Sequence, residues 1–561
     1  MASNANWQQD DLKAKLAKLH REGEERAAER LAKQLGYDYI DLDKMPISLD
    51  AVRAIPEAEA RDAKVASVEV RPGKVALAAV NPDLPAAKAV IGKFQDRKYE
   101  VKIFVASPSS LLAAWRLYRF MKPESEEITG KVHITKQRLE ELRARMTTLD
   151  AVKKEFSSLD PARTSPVAVI EIMLAGALAM RASDIHTEAG EKKAKVRFRV
   201  DGLLHDVFDD FDPAAYATFV SRIKLLSAMK LNVRDEAQDG RFTIGLDDKE
   251  IEMRVSIIPA EFGETIVMRI LDPSATMVGL PDLGLREDNL ALVKKQLDRP
   301  NGLILNTGPT GSGKTTTLYA FLRTMNNPEI KIITLEDPIE YRIDGVEQTQ
   351  VDEESGYTFA NGLRAIVRQD PDVILVGEVR DLETADIAMQ AALTGHLVFS
   401  TLHTNDAVGA VPRLINLGVK PVSIGPALAL VIAQRLVRVL CPKCKKAAAM
   451  DDAMKAKIAA FIARLPARVD RTKYQAYSVF EAVGCAECNG LGYRGRVGVF
   501  EFLEGGADLE TTILKEASEV ALREVAKRQE MVTMQEDGIL KVLEGKTTWS
   551  EVESVTGEIS W

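Results

Sequence analysis

One short glycine-rich run limits what this 561-residue chain can fold into more than any other feature. The run is Gly308-Pro-Thr-Gly-Ser-Gly-Lys-Thr315, which fits the Walker A pattern at every defined position and lies between an apolar segment and a helical segment. Such a run binds phosphate because its glycines let successive backbone N–H groups curl around an anion. The sequence therefore predicts a nucleotide site at the end of a buried strand.

The residues of this loop have distinct predicted roles. Lys314 neutralises the β and γ oxygens of the nucleotide, Thr315 offers its hydroxyl to Mg²⁺, and the helix N-terminus adds a field that favours anions. ATP and Mg²⁺ are therefore the expected ligands. The predicted nucleotide-binding residues are Gly308, Pro309, Thr310, Gly311, Ser312, Gly313, Lys314, Thr315 and Thr316.

The segments around this loop predict a parallel α/β domain. Four buried-type strands, Leu303–Thr307, Lys331–Leu335, Val373–Val376 and Leu397–Thr401, alternate with helical segments. This alternation is typical of a parallel sheet covered by helices on both faces. The nucleotide-binding domain, which we call the engine domain, is therefore expected from Gly302 onward.

Hydrolysis also needs acidic groups at the ends of neighbouring strands, where they hold the metal and orient water. One predicted strand ends at Glu378, and another ends in the acidic run that begins at Glu336. His396 and His403 bracket a third strand. Each histidine is either a γ-phosphate sensor or a hydrogen-bonded structural residue, and the residues alone leave both interpretations open.

Four sequence boxes in this order resemble those of the traffic ATPases of type II secretion and type IV pilus assembly, the GspE/PilB-like group. They are the Walker A run, an aspartate box Glu336-Asp-Pro-Ile-Glu340, a Walker B run ending at Glu378, and a histidine box with His396 and His403. The resemblance covers about Pro161 to the C-terminus. It implies a RecA-like ATPase core with a PAS-like α+β domain before it.

The resemblance also implies roles for individual side chains. Glu336 would polarise the attacking water and Glu378 would act mainly on the Mg²⁺ side, although their spacing leaves an exchange of roles open. Arg254 and Arg269 of the preceding domain would reach the γ-phosphate. Without the resemblance, an arginine on a strand is expected to form an exposed salt bridge.

Other residues match family boxes that have less specific roles. Arg241, Arg364, Arg368 and Gln369 are expected at contacts between domains or subunits, and His186 is expected to be structural.

The four cysteines of the chain form two pairs, Cys441-Pro-Lys-Cys444 and Cys485-Ala-Glu-Cys488. Two such pairs predict one tetrahedral Zn²⁺ bound by four thiolates, which leaves no ligand position for water and makes the metal structural. A zinc ribbon that binds nucleic acid is the competing interpretation. The assembly branch of the family carries a similar cysteine element, whereas retraction motors generally lack it.

These observations predict a modular chain, because 561 residues exceed what one hydrophobic core supports. The N-terminal section contains no motif that assigns it a chemical function. This section also lacks the arginine- and glutamine-containing repeat that accompanies cyclic-di-GMP binding in some relatives. The expected parts are an N-terminal α+β partner-binding domain (1–122), a charged helical linker (123–160), the PAS-like α+β domain (161–274), the RecA-like core (285–440), the zinc-binding element (441–500) and a helical C-terminal region (501–561).

Charge and hydropathy exclude several classes of protein. The formal net charge of −8 provides no global basic field, so nucleic acid is not an expected partner. The polar segment Met1–Asp11 does not match a secretory signal, and the apolar stretches Pro166–Met180 and Gly425–Leu440 are shorter than a membrane span. A cytoplasmic location with peripheral recruitment to the inner membrane through partners is expected.

The function implied by the resemblance is a cytoplasmic ATPase that powers assembly of a type IV pilus or a type II secretion pseudopilus. The expected assembly is a homohexamer that acts on an inner-membrane platform protein and contacts a membrane-linked recruitment protein through its N-terminal region. Three alternatives remain at this point: a pilus retraction motor, a nucleic-acid translocase, and a regulatory module that binds nucleotide without turnover. The zinc element, the acidic net charge and the complete acidic boxes argue against them in that order.

Overall fold

The chain folds into two compact units, residues 1–129 and residues 130–561. In the sequence, Leu12, Leu16 and Leu19 have the spacing of an amphipathic helix, and this segment lies outside the described residues. The computed structural model describes residues 20–119, 130–158, 165–246, 250–272 and 278–561, except 46, 48–50, 53 and 72.

The first unit contains a small mixed sheet with helices around it. Its strands are β1 (Asp38–Tyr39), β2 (Val65–Arg71), β3 (Lys74–Ala79) and β4 (Glu100–Val105), and its helices are α1 (20–35), α2 (Glu57–Ala63), α3 (Pro85–Asp96) and α4 (Pro108–Trp115). The strand order is β1-β4-β3-β2, and β2 pairs antiparallel with β3. In the sequence, Val65–Val70 and Lys74–Val80 flank a Pro72-Gly73 turn and predict a hairpin, and β2 and β3 confirm it, although Pro72 lies outside the described residues.

The second unit begins with a seven-stranded, largely antiparallel sheet. Its strands are β5 (Lys131–His133), β6 (Ala182–Glu188), β7 (Ala194–Val200), β8 (Leu203–Phe211), β9 (Gln238–Gly245), β10 (Glu250–Ala260) and β11 (Gly263–Leu271). The order is β5-β9-β10-β11-β6-β7-β8. Its helices are α5 (Lys136–Arg145), α6 (Leu149–Ser157), α7 (Pro166–Met180) and α8 (Pro213–Leu226).

The segment predicted as a solvated linker differs from that prediction over its described part. Strand β5 pairs with β9, and α5 and α6 bury one side of each helix in the core of the second sheet. Leu142 and Val152 are fully buried in that core. The apolar stripe is easy to miss because charged residues fill the other faces of both helices. This segment is part of the second sheet's domain.

The engine domain is built on a sheet that is parallel except at one edge. Its strands are β12 (Gly302–Thr307), β13 (Ile332–Glu336), β14 (Glu347–Gln350), β15 (Val373–Val376), β16 (Leu397–Leu402), β17 (Leu428–Leu440) and β20 (Tyr493–Glu504). Their order is β14-β13-β15-β16-β12-β17-β20, with β20 antiparallel to β17. The helices here are α9 (Glu287–Leu297), α10 (Lys314–Met325), α11 (Phe359–Val367), α12 (Leu382–Leu393), α13 (Ala410–Asn416) and α14 (Pro421–Ala427).

The register of this sheet places the functional segments. Thr307 pairs with Leu402, and Val376 pairs with both Leu335 and Ser400, so the strands end together at one edge. The four central strands β12, β13, β15 and β16 are buried along their whole length, as expected for a parallel sheet covered on both faces. The predicted fold class, an α/β protein with a parallel-rich engine sheet, is confirmed.

The C-terminal part adds a cysteine-bearing element and a layer of helices. Between the cysteine pairs lie β18 (Lys446–Ala447), α15 (Asp452–Arg464) and β19 (Phe480–Glu481), and the last helices are α16 (Ala507–Lys515), α17 (Glu519–Arg528), α18 (Met534–Leu543) and α19 (Trp549–Thr556). Ile458 and Phe461 of α15 are buried in one cluster with α18 and α19. In the described part of the chain, no helix has both the length and the apolar character to cross a bilayer.

Candidate functional site

The phosphate-binding loop lies at the edge where the parallel strands end. It connects β12 to α10, and Gly308, Gly311 and Gly313 have φ values of 149°, 80° and 88°. A Cβ at Gly308 would lie 2.5 Å from the backbone oxygen of Gln434, and a Cβ at Gly313 would lie 2.8 Å from the side-chain nitrogen of that residue. Glycine is therefore required at both positions by conformation and by the close approach of β17.

Lys314 closes this loop on itself. Its ammonium donates to the carbonyl oxygens of Gly308 at 2.7 Å and Pro309 at 3.2 Å. Burial lowers the pKa of Lys314, and the nearby Glu378 carboxylate opposes that shift. Thr315 follows at the start of α10, where it is exposed and lines the cleft above the loop. A cation and a free hydroxyl are thus both at the site.

Glu336 ends β13 beside this loop, and its carboxylate is almost completely buried. Its oxygens accept hydrogen bonds from Thr334 at 2.6 Å, from Gln348 at 3.2 Å and from the hydroxyl of Tyr319. Burial raises the pKa of the Glu336 carboxyl, and the three donors oppose that rise. The carboxylate is held in one orientation while it lines the cleft.

Glu378 follows β15 after one glycine and is more accessible than Glu336. Arg380 donates to its carboxylate at 2.5 Å, and the Nε2 atom of His403 lies 3.6 Å from the same group. Burial lowers the pKa of His403, and the Lys314 charge lowers it further. Glu378 and His403 both line the cleft.

The two predicted histidines lie at opposite ends of β16. His403 follows the strand at the edge of the phosphate-binding loop, whereas His396 precedes it and contacts the carbonyl oxygen of Ala391 through Nδ1 at 3.1 Å. A strand of this length spans roughly 20 Å. Within one chain the structure therefore brings His403, but not His396, to the nucleotide loop.

The opposite wall of the cleft comes from the preceding sheet. Arg269 on β11 and Arg199 on β7 line it, and Asp184 holds Arg269 through a contact of 3.0 Å. Arg199 lies 3.5 Å from the same carboxylate. The side chain of Arg269 remains half exposed. The cleft has a volume of about 780 Å³ and is lined by both sheets.

Arg254 contacts the aspartate box in this structure. Its guanidinium lies 3.3 Å from Glu340 and also donates to the carbonyl oxygen of Ile339. It lines a neighbouring cavity together with Arg241 rather than the cleft of the phosphate-binding loop. Arg254 therefore contacts the segment that follows Glu336.

The secondary candidates occupy other surroundings. Arg364 forms an exposed pair with Glu383 on the next helix. The carbonyl oxygen of Gln369 accepts a hydrogen bond from the Lys331 ammonium at 2.8 Å, which connects the end of α11 to the start of β13. His186 lies 3.4 Å from Arg199, and burial lowers the pKa of its imidazole.

Sequence reasoning did not assign a role to Gln434. It is buried on β17, where its side-chain oxygen accepts from Asn306 at 3.0 Å and from Thr317 at 2.8 Å. These contacts join three segments beneath the phosphate-binding loop. The only signal in the sequence is a glutamine within the apolar stretch Gly425–Leu440, which Arg435 and Arg438 also interrupt. A buried amide at such a position requires partners.

The cysteine element has the geometry of a tetrahedral metal centre. The sulfurs of Cys441 and Cys485 are 3.8 Å apart, those of Cys444 and Cys488 are 3.7 Å apart, and those of Cys485 and Cys488 are 3.8 Å apart. Four sulfurs around Zn²⁺ at about 2.3 Å would be separated by about 3.8 Å. Backbone N–H groups of Gly484, Cys485 and Gly492 point to the sulfurs. The donor set fits one structural zinc ion.

Each of the two units contains a match to a known protein family. The family described as "Type II/IV secretion system protein" matches residues 162–554, and the family described as "MshEN domain" matches residues 35–123. The second match covers the N-terminal section whose chemistry sequence reasoning left unassigned.

Several named proteins are similar to this chain. The type IV pilus assembly ATPase PilB of Myxococcus xanthus is 37% identical over 540 residues, which is 94% of this chain and 90% of that protein. The type II secretion system protein E of Pseudomonas aeruginosa is 45% identical over 392 residues, 70% of this chain and 76% of that protein. An X-ray structure of the Legionella pneumophila ATPase DotB has a TM-score of 0.51 and 22% identity, covering 71% of this chain and 97% of that one, which shows a shared fold.

Proposed function

This chain belongs to the type II/IV secretion system protein family, and on that premise we propose that it hydrolyses ATP to power assembly of a type IV pilus or a type II secretion pseudopilus. The observation that carries the proposal is the cleft itself. It combines a complete phosphate-binding loop with Glu336, Glu378 and His403 on one wall and Arg269 on the other. A loop that only binds nucleotide would not need this set of acids and cations.

Each wall has a separate task in the proposed reaction. Backbone N–H groups of the loop and the Lys314 ammonium bind the phosphates, and Glu336 polarises the water that attacks the γ-phosphorus. As the bond from that phosphorus to the bridging oxygen breaks and ADP leaves, Arg269 neutralises charge on the γ-phosphoryl oxygens. Glu378, which lies near Lys314 and His403, acts on the side of the site where Mg²⁺ would bind.

The cation expected here is Mg²⁺, which would neutralise charge on the β and γ oxygens when bound. The exposed hydroxyl of Thr315 and the carboxylate of Glu378 are oxygen donors on the same cleft, and such donors suit this ion. Thr315 is its proposed direct ligand. The four cysteines would hold a structural Zn²⁺ that takes no part in the reaction.

The two walls offer a way to convert hydrolysis into movement. Arg269 comes from the domain that precedes the engine, so charge on the phosphates would draw that domain toward the loop and release of phosphate would free it. Arg254 is the second proposed γ-phosphate arginine, and it would reach the nucleotide after leaving Ile339 and Glu340. His396 would act only if a neighbouring subunit brought it to a nucleotide.

The proposed assembly is a homohexamer in the cytoplasm, recruited peripherally to the inner membrane. An inner-membrane platform protein would receive the movement, and a membrane-linked recruitment protein would bind the N-terminal unit. The named relatives that act in pilus assembly and type II secretion support this role.

The proposal is tested by steady-state ATP hydrolysis of the purified full chain with Mg²⁺, in the absence and presence of single-stranded and duplex DNA. Wild type should turn over ATP at the same rate in all three conditions, and Glu336→Gln should lose turnover. Strong stimulation by either DNA would replace the filament-assembly function with a translocase function.

A further inference from the structure

A buried polar cluster behind the phosphate-binding loop surrounds the carboxylate of Glu336. Its members come from three neighbouring elements, Tyr319 on α10, Thr334 on β13 and Gln348 on β14. Tyr319 and Thr334 are fully buried, and Glu336 is 4% exposed. None of these three donors belongs to the sequence boxes that identified the site.

The contacts of the cluster use both carboxylate oxygens. Thr334 and Gln348 donate to Oε1 at 2.6 and 3.2 Å, and the Tyr319 hydroxyl donates to Oε2. A carboxylate has about four acceptor sites, so three donors leave roughly one for a water in the cleft that Glu336 lines. The cluster therefore determines which acceptor site of the Glu336 carboxylate remains available to that water.

The donors are themselves held in place. The side-chain oxygen of Gln348 accepts from the Ile343 N–H at 2.8 Å, which turns its amide nitrogen toward Glu336 and toward the Tyr341 carbonyl oxygen at 3.1 Å. The ring of Tyr319 packs edge-on against the ring of Tyr341, with centroids 4.6 Å apart. Neither side chain can leave its position without breaking another contact.

We propose that Tyr319, Thr334 and Gln348 are positioning residues that hold the Glu336 carboxylate in the orientation and charge state needed to polarise the attacking water. This inference rests on the proposed ATP hydrolysis and on the role of Glu336 within it. A purely structural cluster would contribute to stability alone. A positioning cluster also sets the pH range over which the enzyme turns over.

The direction of the pH effect follows from the surroundings of Glu336. Tyr319, Tyr341 and Glu340 are the titratable groups that face it, and Glu340 is paired with Arg254. Burial raises the pKa of the Glu336 carboxyl, while hydrogen bonds from the three donors lower it. Loss of one donor therefore raises that pKa further, and the acid limb of the kcat profile moves to higher pH.

The test compares full-length Tyr319→Phe and Thr334→Val with wild type and with Tyr474→Phe as a matched control. Tyr474 is also a buried tyrosine that donates to a glutamate, Glu544, at 3.1 Å, but it lies between the two cysteine pairs, in the cluster that α15 forms with α18 and α19. Both cluster variants should lower kcat by about tenfold to a hundredfold, with little change in KM and an acid limb at higher pH, because each loses a hydrogen bond to a charged group. The control should keep the wild-type profile.

A second comparison separates positioning from a general loss of structure. Tyr319→Phe and Thr334→Val should keep a nucleotide Kd and a thermal midpoint close to those of wild type while kcat falls, whereas a general loss of structure would weaken all three. An unchanged kcat and pH profile in both cluster variants would overturn this inference while leaving ATP hydrolysis intact. Absence of turnover in wild type would instead overturn the proposed function.

Discussion

Replacing Gln434 with leucine removes the acceptor that joins β12, α10 and β17 beneath the phosphate-binding loop. The side chain is 2% exposed, and Asn306 and Thr317, its two donors, are fully buried. Leucine has a similar volume, so the principal change is the loss of one carbonyl oxygen. Two buried donors lose their partner, and each orphaned donor costs about 1–3 kcal/mol.

The expected cost is reduced by one local rearrangement. The hydroxyl of Thr317 can turn to the carbonyl oxygen of Gly313, one turn earlier in α10, whereas Asn306 keeps only a distant contact of 3.5 Å to the Lys314 carbonyl. We therefore expect a loss of about 2–4 kcal/mol in the stability of the loop region. Part of this loss should be measured as weaker nucleotide binding, by about tenfold or more.

The assay is the Kd of a fluorescent ATP analogue, measured together with the thermal midpoint. Gln390→Leu serves as the control, because Gln390 is exposed on α12 away from the loop. Adding Asn306→Leu to Gln434→Leu should restore part of the lost stability, since the donor that stays orphaned is then removed. A Gln434→Leu protein that binds nucleotide and melts like wild type would refute this account of the loop.

Three further predictions concern other parts of the chain. Arg269→Ala and Arg254→Ala should each lower kcat, about 10³-fold where the arginine reaches the transition state, with a much smaller change in nucleotide Kd; unchanged kcat in both would remove the arginines from the reaction. Metal analysis should find one Zn²⁺ per chain and much less in Cys488→Ser, whose thermal midpoint should also fall; full zinc occupancy in that variant would contradict the tetrahedral site. Asp537 is buried against Lys541. Burial opposes ionisation of Asp537, but neighbouring cations hold its pKa below the usual value. The stabilisation that the ionised Asp537 provides should therefore be present above about pH 4 and be lost as the pH falls through the folded pKa. Asp537→Asn should lower the thermal midpoint at pH 7 by the equivalent of about 3–5 kcal/mol and lack this acid-dependent part; an unchanged midpoint would contradict the pairing.

The sequence could locate the site because parallel strands end at a common edge. That rule alone predicts that Glu336, Glu378 and His403 lie near the loop at Gly308, since each follows or ends a buried strand. The same rule gives the opposite location for His396, which precedes its strand. A family box that contains both histidines does not show that difference.

Other features depend on contacts that sequence spacing does not reveal. Gln434 lies 128 residues from Asn306, so a glutamine within a largely apolar strand is the only local sign of their hydrogen bond. The sequence predicts the helical character of 136–157, but charge obscures the burial of these helices, because their buried stripe is narrow and their exposed faces are highly charged. Arg254 was assigned to phosphate by resemblance, whereas its contacts with Ile339 and Glu340 follow from the docking of two domains.

The most direct test of the account is phosphate release from ATP by the full-length chain and by Lys314→Ala, measured side by side with Mg²⁺ over a range of protein concentrations. Lys314 is the only cation in the described part of the phosphate-binding loop, so its loss should abolish turnover. Wild type should show turnover per chain that rises with concentration as subunits assemble. Hydrolysis by Lys314→Ala at the wild-type rate would show that the reaction takes place elsewhere and would contradict the central claim.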